Sequence, residues 1–153
     1  MRYQLYECQD DFIPLVKEIA HIEDYVAMER IRRGEDVHIT LDVPEEEMTA
    51  RVTPLLFTPF IENAFKFVSN YDEGSQNQVA ISFRLEDHRL HFEVENTIDL
   101  NNDLKKGGIG IANVKKRLHL LYPQQHHLDL FEKKGRFFVR LTIPLNLLKH
   151  NSE

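Results

Sequence analysis

Hydrophobic residues recur at helical spacing in three stretches of the chain. The first begins at Pro14, which favours the first turn of a helix, and ends near Gly34. Its apolar positions are Leu15, Ile19, Ile22 and Val26. The second runs from about Pro54 to Val68, and its apolar residues nearly encircle it, so we expect a mostly buried helix. The third ends before Pro123 and has one apolar side, formed by Ile111, Val114, Leu118 and Leu121.

Alternating apolar and polar positions predict about five strands. The first run carries Val37, Ile39, Leu41 and Val43. Two further pairs of runs are separated by short turns at residues 86–88 and 133–135, so each pair predicts a hairpin. We therefore expect an α+β fold, namely a two-layer α/β sandwich with three helices on one face of a mixed, largely antiparallel five-stranded sheet.

Composition and length narrow the class of protein. The chain has 153 residues, the size of one domain, and 25 acidic against 19 basic side chains, a formal net charge of −6. This balance argues against a general nucleic-acid binder. The single cysteine, Cys8, excludes an intrachain disulfide and suits a reducing cytoplasm. No apolar run approaches the roughly 18 residues of a membrane span. The residues from Met1 to Tyr6 resemble an internal segment of a protein. We therefore expect this chain to be a piece of a longer protein.

Polar residues interrupt the second predicted helix. Glu62, Asn63 and Lys66 project from one face of a helix that is otherwise apolar, so we expect the Glu62–Asn63 pair to be buried. One interpretation is an internal ion pair between Glu62 and Lys66 on a solvated stripe of the helix. The other is a site in which a carboxylate, an amide oxygen and an ammonium hold a nucleotide and its metal, because burial of such groups is costly without a partner or ligand.

Asn96 is the second interruption. It continues the inward phase of Leu90, Phe92 and Val94, so the end of a strand points an amide toward the core. A structural amide satisfied by the backbone is the common case. The alternative is recognition of a purine, because an amide oxygen accepts from an exocyclic amine and an amide NH2 donates to a ring nitrogen.

A glycine-rich segment, residues 107–110, leads into the third predicted helix. Glycines let a backbone approach a phosphate, and a helix N-terminus offers free N–H groups, although a flexible entry to a helix would look the same. The segment is neither a dinucleotide-binding fingerprint nor a P-loop. Basic residues flank the segment: Lys105, Lys106, Lys115, Lys116 and Arg117. Such runs usually form a solvated helix face, but in an acidic protein their position around a glycine-rich loop also points to an anionic ligand.

Taken together, these motifs resemble a known superfamily. The run from Glu62 to Lys66 (Glu-Asn-Ala-Phe-Lys) is similar to the N box of the GHKL ATPases, which have the Bergerat fold, and Gly108 to Asn113 resembles their G2 box. More narrowly, the segments Pro54 to Ala64 and Gly108 to Tyr122 resemble sensor histidine kinases of the autolysin-sensor type. The likeness extends upstream through Pro14 to Glu29 and covers nearly the whole chain.

The resemblance implies an ATP-binding catalytic domain that uses Mg²⁺ and moves the γ-phosphoryl group of ATP to a histidine. By motif position, Asn63 would coordinate Mg²⁺, Glu62 would orient or deprotonate the accepting group, and Lys66 would contact phosphate. Asn96 stands where the family has an adenine-reading aspartate. Residues 98–106 would form a lid. The remaining ATP-binding positions would be Gly108, Ile109, Gly110 and Asn113.

The sequence departs from the family pattern in several places. Asn96 replaces an aspartate; its amide oxygen can still accept a hydrogen bond from the adenine amine, but it carries no charge. Ile98 replaces a glycine, and its larger side chain is expected to crowd the base. Phe67 replaces a frequent histidine, and Arg136 stands where a threonine is common. These departures bear on nucleotide affinity more than on the fold. The family's phosphoacceptor motif, a histidine followed by Phe-x-Phe-Asn, is absent from the sequence, so we expect no normal autophosphorylation.

The expected division of the chain is a remnant of the dimerisation and phosphoacceptor region in residues 1–12, the catalytic domain in 13–148 and a tail in 149–153. The resemblance implies a protein-histidine kinase that works in a two-component system with ATP, a phosphoacceptor histidine and a response regulator. It also implies a homodimeric, membrane-anchored parent with this domain in the cytoplasm. Two alternatives are a degenerate protein-interaction module without turnover and a protein-serine kinase of the anti-sigma type.

Overall fold

The computed structural model describes residues 12–45, 49–73, 76–100 and 109–147, and these form three α-helices and eight strands. The helices are α1 (Leu15–Arg33), α2 (Thr58–Phe67) and α3 (Ile109–Leu121), and a 3-10 turn, Gly34–Asp36, follows α1. The strands are β1 (Ile13–Pro14), β2 (His38–Asp42), β3 (Ala50–Val52), β4 (Gln78–Glu86), β5 (Arg89–Thr97), β6 (His127–Lys133), β7 (Arg136–Pro144) and β8 (Asn146–Leu147).

A mixed five-stranded sheet forms one layer of the domain. Its strand order is β2-β4-β5-β7-β6, and β2 runs parallel to β4 while the other neighbours are antiparallel. The expected two-layer α+β sandwich is confirmed. A second, small sheet of β1, β3 and β8 was not predicted from the sequence. Its strands have only two or three residues, too few to show an alternating pattern.

The two predicted hairpins are confirmed, and local chemistry explains them. Asp87 and His88 join β4 to β5 with φ values of 52° and 60°. Lys134 and Gly135 join β6 to β7 with φ values of 50° and 73°. Two successive residues with positive φ are the signature of the type I′ turn, whose twist matches that of the strands it joins.

Helix α2 begins later than the sequence predicts. Residues from Pro54 to Phe57 form a loop instead of the first helical turn, and Leu55 in this loop has a φ of 55°. The Leu55 N–H donates to the buried Glu18 carboxylate of α1 at 3.2 Å. Arg117 of α3 donates to the carbonyl oxygens of Pro54 and Leu55. Side chains distant in sequence thus hold this loop in a conformation that its own residues do not favour.

The core lies between the helices and one face of the five-stranded sheet. Four aromatic rings form its centre: Phe57 lies 5.1 Å from Phe83 and 4.9 Å from Phe92, and Phe60 lies 6.2 Å from Phe92, measured between ring centroids. All four side chains are buried. Within the described residues, no helix is long and apolar enough to span a membrane.

Charged groups at the end of α1 attach it to α2. The buried Glu29 carboxylate accepts from Arg33 Nε at 2.7 Å. Arg33 also donates through Nη2 to the Phe65 carbonyl oxygen at 2.9 Å, and its guanidinium lies 5.3 Å from the centre of the Phe65 ring. A planar guanidinium can make all three contacts at once, so the end of α2 is fixed in position.

Candidate functional site

Helix α2 displays the polar residues of the predicted N box on its outer side. Glu62 and Lys66 are exposed and Asn63 is half-buried, so the expectation of a buried Glu62–Asn63 pair is wrong for Glu62. The helix buries only one side, formed by Phe60, Ile61, Ala64 and Phe65. Among the described residues no ion pair joins Glu62 to Lys66, and the Lys66 ammonium lies 5.3 Å from the Phe67 ring centre. These polar groups are therefore accessible to a ligand.

Asn96 lies at the end of β5 on the sheet face that the helices cover. It is 1% exposed, which confirms its predicted inward direction. Its partners across the sheet are Val79 of β4 and Phe137 of β7. The amide Nδ2 donates to the Thr97 carbonyl oxygen at 3.1 Å. The Asn96 amide nitrogen is thus satisfied by the backbone, which is the structural alternative to purine recognition that the sequence left open.

A buried polar network beside Asn96 was not predicted from the sequence. Ser69 follows α2 and donates from its backbone N–H to the Thr97 carbonyl oxygen at 2.8 Å. The Ser69 hydroxyl oxygen lies 2.7 Å from Asn77 Oδ1 and 2.6 Å from Thr97 Oγ1. All three side chains are buried. The three residues lie far apart in the sequence, and a single polar residue at the end of a helix or strand is usual. The sequence alone therefore does not indicate that they form a network.

Replacement of Thr97 by valine is expected to lower the free energy of unfolding by about 1–3 kcal/mol. Valine keeps the shape of threonine but leaves the Gln78 N–H without the oxygen to which it now donates at 2.9 Å. Urea unfolding measures the effect. The matched control is Thr142→Val on the half-buried, uncovered side of β7, and an equal loss in both variants would contradict the importance of the network.

The start of α3 lies against the start of α2. A Cβ atom built on Gly110 would lie 3.6 Å from Pro59 Cβ, an ordinary packing distance. Asn113, Lys115 and Lys116 are exposed on α3, as the prediction of a solvated or ligand-facing surface requires. Arg117 instead lies on the loop before α2, so it does not belong to a free basic surface. The predicted positions 107 and 108, which include Gly108, lie outside the described residues, as does the Ile109 side chain.

The predicted lid is described only at its first residues, 98–100, and positions 101–106 lie outside the described residues. Ile98 is buried, and its N–H donates to the Gly135 carbonyl oxygen at 3.0 Å. The Tyr71 hydroxyl donates to the Ile98 carbonyl oxygen at 3.2 Å. Ile98 is therefore anchored beside the β6–β7 turn. Arg136 pairs with Glu95 at 3.0 Å, on the sheet face opposite that of Asn96.

Tyr25 of α1 packs against a residue of the N box, and its surroundings change its pKa. Its ring packs edge-on against Phe65 with 5.9 Å between centroids. Burial, together with the Glu29 and Glu62 carboxylates, raises the Tyr25 pKa to about 12. The Tyr25 hydroxyl therefore stays protonated well above neutral pH.

This pKa predicts a contribution to alkaline unfolding. The ordinary tyrosine pKa is 10.0, so the unfolded chain loses its proton first as the pH rises and Tyr25 lowers stability between about pH 10 and 12. Below this window the group adds no pH dependence. We expect Tyr25→Phe to lose less stability than the wild type between about pH 8 and 11 in urea unfolding. Parallel pH profiles for the two proteins would contradict the shift.

Solved structures share the fold of this chain. The catalytic domain of histidine kinase ThkA superposes with a TM-score of 0.60 at 13% identity, over 87% of this chain and 94% of that chain. The histidine kinase domain of the blue-light activated kinase EL346 from Erythrobacter litoralis superposes with a TM-score of 0.62 at 19% identity, over 89% and 63%. The chain therefore has the fold of a histidine kinase catalytic domain.

Curated relatives agree with this class. Sensor histidine kinase BtsS of Escherichia coli K12 is 30% identical over 138 residues, 88% of this chain and 24% of that protein. YpdA of the same strain is 28% identical over 142 residues, 86% and 25%, and LytS of Enterococcus faecalis is 27% identical over 147 residues, 87% and 25%. No family model matches. The chain spans about a quarter of the length of these relatives, and its resemblance to sensor histidine kinases is confirmed.

Proposed function

We propose that the chain is the ATP-binding catalytic domain of a two-component sensor histidine kinase. It transfers the γ-phosphoryl group of ATP to a histidine on a phosphoacceptor segment, from which a response regulator takes the group. The observation that carries the proposal is that α2, which packs against both α3 and β5, leaves Glu62 and Lys66 exposed and Asn63 half-buried on its outer side. The catalytic domain occupies residues 13–148, in the cytoplasm, within a homodimeric and membrane-anchored parent.

The residues of α2 act on the phosphate end of the nucleotide. Lys66 is exposed and supplies positive charge to the phosphates. Glu62, one helical turn earlier, orients or deprotonates the accepting imidazole. The phosphates lie along the segment of Gly108, Ile109, Gly110 and Asn113, where backbone N–H groups and a helix N-terminus favour negative charge. Phosphoryl transfer needs such positioning and charge neutralisation more than covalent chemistry.

The chain's oxygen donors fit Mg²⁺. Asn63 is half-buried on α2, so its side chain is partly accessible from the solvent. Mg²⁺ prefers oxygen ligands and is commonly held by one or two protein groups together with nucleotide phosphates and waters. Asn63 would therefore hold the ion, which when bound neutralises charge that develops on the transferred group.

Two histidine kinase structures with this fold support the ligands proposed here. Full-length ShkA, described in complex with AMPPNP, superposes with a TM-score of 0.62. ThkA, described in complex with the response regulator TrrA, superposes with a TM-score of 0.60. By analogy of fold, we assign ATP and a response regulator to this chain as ligand and partner.

Calorimetric titration with AMPPNP, with and without Mg²⁺, tests the nucleotide site. We expect binding that tightens when the metal is present. The absence of heat and of thermal stabilisation at millimolar nucleotide would overturn the proposal.

A second experiment tests the reaction. The chain is supplied with labelled ATP, Mg²⁺ and a separate phosphoacceptor helix from a related kinase. We expect acid-labile phosphate on the histidine of that helix. Acid-stable phosphate would instead favour a serine kinase, and nucleotide binding without transfer would favour an interaction module.

One observation favours the interaction module as a second candidate function. Ile98 follows Asn96 by two residues, is buried, and has its backbone hydrogen-bonded to Gly135 and to the Tyr71 hydroxyl, so a bulky side chain is held at this end of β5. If this side chain fills the space of the base, nucleotide binding is lost. Ile98→Gly discriminates the two functions, because only an occluded site would gain affinity for AMPPNP on this replacement.

A further inference from the structure

The beginning of α2 and the loop before it lie along helix α3. At the start of α3, Gly110 lies against Pro59 of the first turn of α2. About two helical turns further along α3, Arg117 donates to the carbonyl oxygens of Pro54 and Leu55. One helix therefore carries the proposed phosphate-binding turn and also holds the loop that leads into the N box.

The Arg117 guanidinium is suited to hold this loop in one place. Its two terminal nitrogens donate to two successive carbonyl oxygens, Nη1 to Leu55 at 3.3 Å and Nη2 to Pro54. Pro54 is buried, and Leu55 has a φ of 55°, a backbone conformation that leucine disfavours. A planar guanidinium presents its donors in a rigid fork, which an ammonium cannot do. Arg117 therefore stabilises a conformation that the loop does not favour by itself.

The loop that Arg117 holds leads directly into the first turn of α2. The backbone N–H groups of Phe60 and Ile61 both donate to the Phe57 carbonyl oxygen, at 3.1 Å and 3.2 Å, and these bonds close the turn. Glu62 comes next in the helix. The place of the N box relative to α3 thus depends on where this first turn is held.

The far end of α2 is attached independently of Arg117. Arg33 of α1 donates to the Phe65 carbonyl oxygen at 2.9 Å, and the Ser69 N–H donates to the Thr97 carbonyl oxygen at 2.8 Å. Loss of the Arg117 contact therefore releases the beginning of α2 while its end stays fixed.

We propose that Arg117 is a positioning residue for the metal site, because it holds the start of α2 where Asn63 can act together with phosphates bound at the first turn of α3. This inference rests on the proposed function. Arg117 is not assigned to phosphate, since both of its terminal nitrogens donate to carbonyl oxygens. Removal of its contact should weaken the metal-dependent part of nucleotide binding and spare the part that needs no metal.

Amide hydrogen exchange of the protein without nucleotide tests the attachment itself. In Arg117→Met we expect the Phe60 and Ile61 N–H groups to exchange several-fold faster than in the wild type, while the Ser69 N–H keeps its rate. Equal acceleration at all three positions would mean general destabilisation, and unchanged rates would mean that Arg117 does not hold α2. Either result would overturn the inference.

Calorimetry with AMPPNP tests what the contact does, through the ratio of the dissociation constants without and with Mg²⁺. We expect Arg117→Met to lower this ratio about 10-fold, as is typical when a group that orients a metal ligand is removed. Arg117→Lys keeps the positive charge but not the fork, so it should lower the ratio as well. The matched control is Arg30→Met, which removes a contact with the Ile39 carbonyl oxygen at 3.3 Å, away from α2, and should leave the ratio unchanged.

The outcomes separate this inference from the proposed function. If Arg117→Met weakens binding equally with and without Mg²⁺, or if Arg117→Lys keeps the full ratio, the inference is wrong. Arg117→Lys alone decides the matter if circular dichroism shows that Arg117→Met is unfolded. If Asn63→Ala loses the gain from Mg²⁺ while the Arg117 variants keep it, the inference fails and the proposed function stands. If the wild type binds no nucleotide, the proposed function is wrong and the inference falls with it.

Discussion

Replacement of Asn63 by alanine is expected to abolish the Mg²⁺-dependent part of nucleotide binding, a loss on the order of 100-fold in affinity. The side chain is half-buried on the open side of α2 and supplies the amide oxygen that we assign to the metal. The same replacement should leave the melting temperature near that of the wild type, because alanine favours a helix more than asparagine does. Calorimetry with AMPPNP and thermal unfolding measure the two effects.

Asn70→Ala is the matched control for this prediction. Asn70 is exposed and lies just beyond α2. Its replacement by alanine therefore removes the same chemical group near the site but leaves Asn63, the residue assigned to the metal, unchanged. We expect its binding curve to match the wild type. Unchanged affinity in Asn63→Ala, with or without metal, would remove Asn63 from the site.

The largest stability effect is expected at Phe92. Its ring centroid lies 4.9 Å from that of Phe57 and 5.0 Å from that of Phe83, so it connects the loop before α2 to two central strands. Phe92→Ala leaves a cavity that these rings cannot fill, and we expect the free energy of unfolding to fall by about 3–5 kcal/mol. Urea unfolding measures the loss.

Phe131→Ala provides the comparison within the same sheet. Phe131 stacks on Phe138 with 5.0 Å between centroids, but both rings are only half-buried on the face that the helices leave open. Solvent can fill the space that this replacement creates, so we expect less than half the loss seen at Phe92. Equal losses would show that the aromatic cluster beneath α2 is not the centre of the core.

The candidate site was predictable from the sequence to the extent that its residues stand in local motifs. Glu62, Asn63 and Lys66 share one helix, and their common face follows from helical geometry alone. The inward direction of Asn96 follows from the alternation of its strand. The exposure of Glu62 did not follow, because an apolar pattern around a helix does not state which side the sheet covers.

Contacts between distant segments decided the rest. Glu18 and Arg117 lie 37 and 62 residues from Leu55 in the sequence, and both form hydrogen bonds with the backbone of Leu55. These bonds hold residues 54–57 as a loop, so α2 begins only after it. Ser69 and Thr97 are 28 residues apart, and each alone reads as an ordinary turn or strand-end residue. No local pattern encodes such pairs, since their partners meet only after the sheet and helices are packed.

The sequence by itself determined the order of the principal helices and strands, the places of the two hairpin turns and the positions of the motifs that we assign to nucleotide binding. Each of these depends on neighbouring residues, through periodicity or through backbone preferences at Asp87, His88, Lys134 and Gly135. Only the tertiary structure decided the small sheet, the side of α2 that faces solvent and the orientation of the Asn96 amide. The physical reason is that burial and hydrogen-bond partners depend on chain segments brought together by folding.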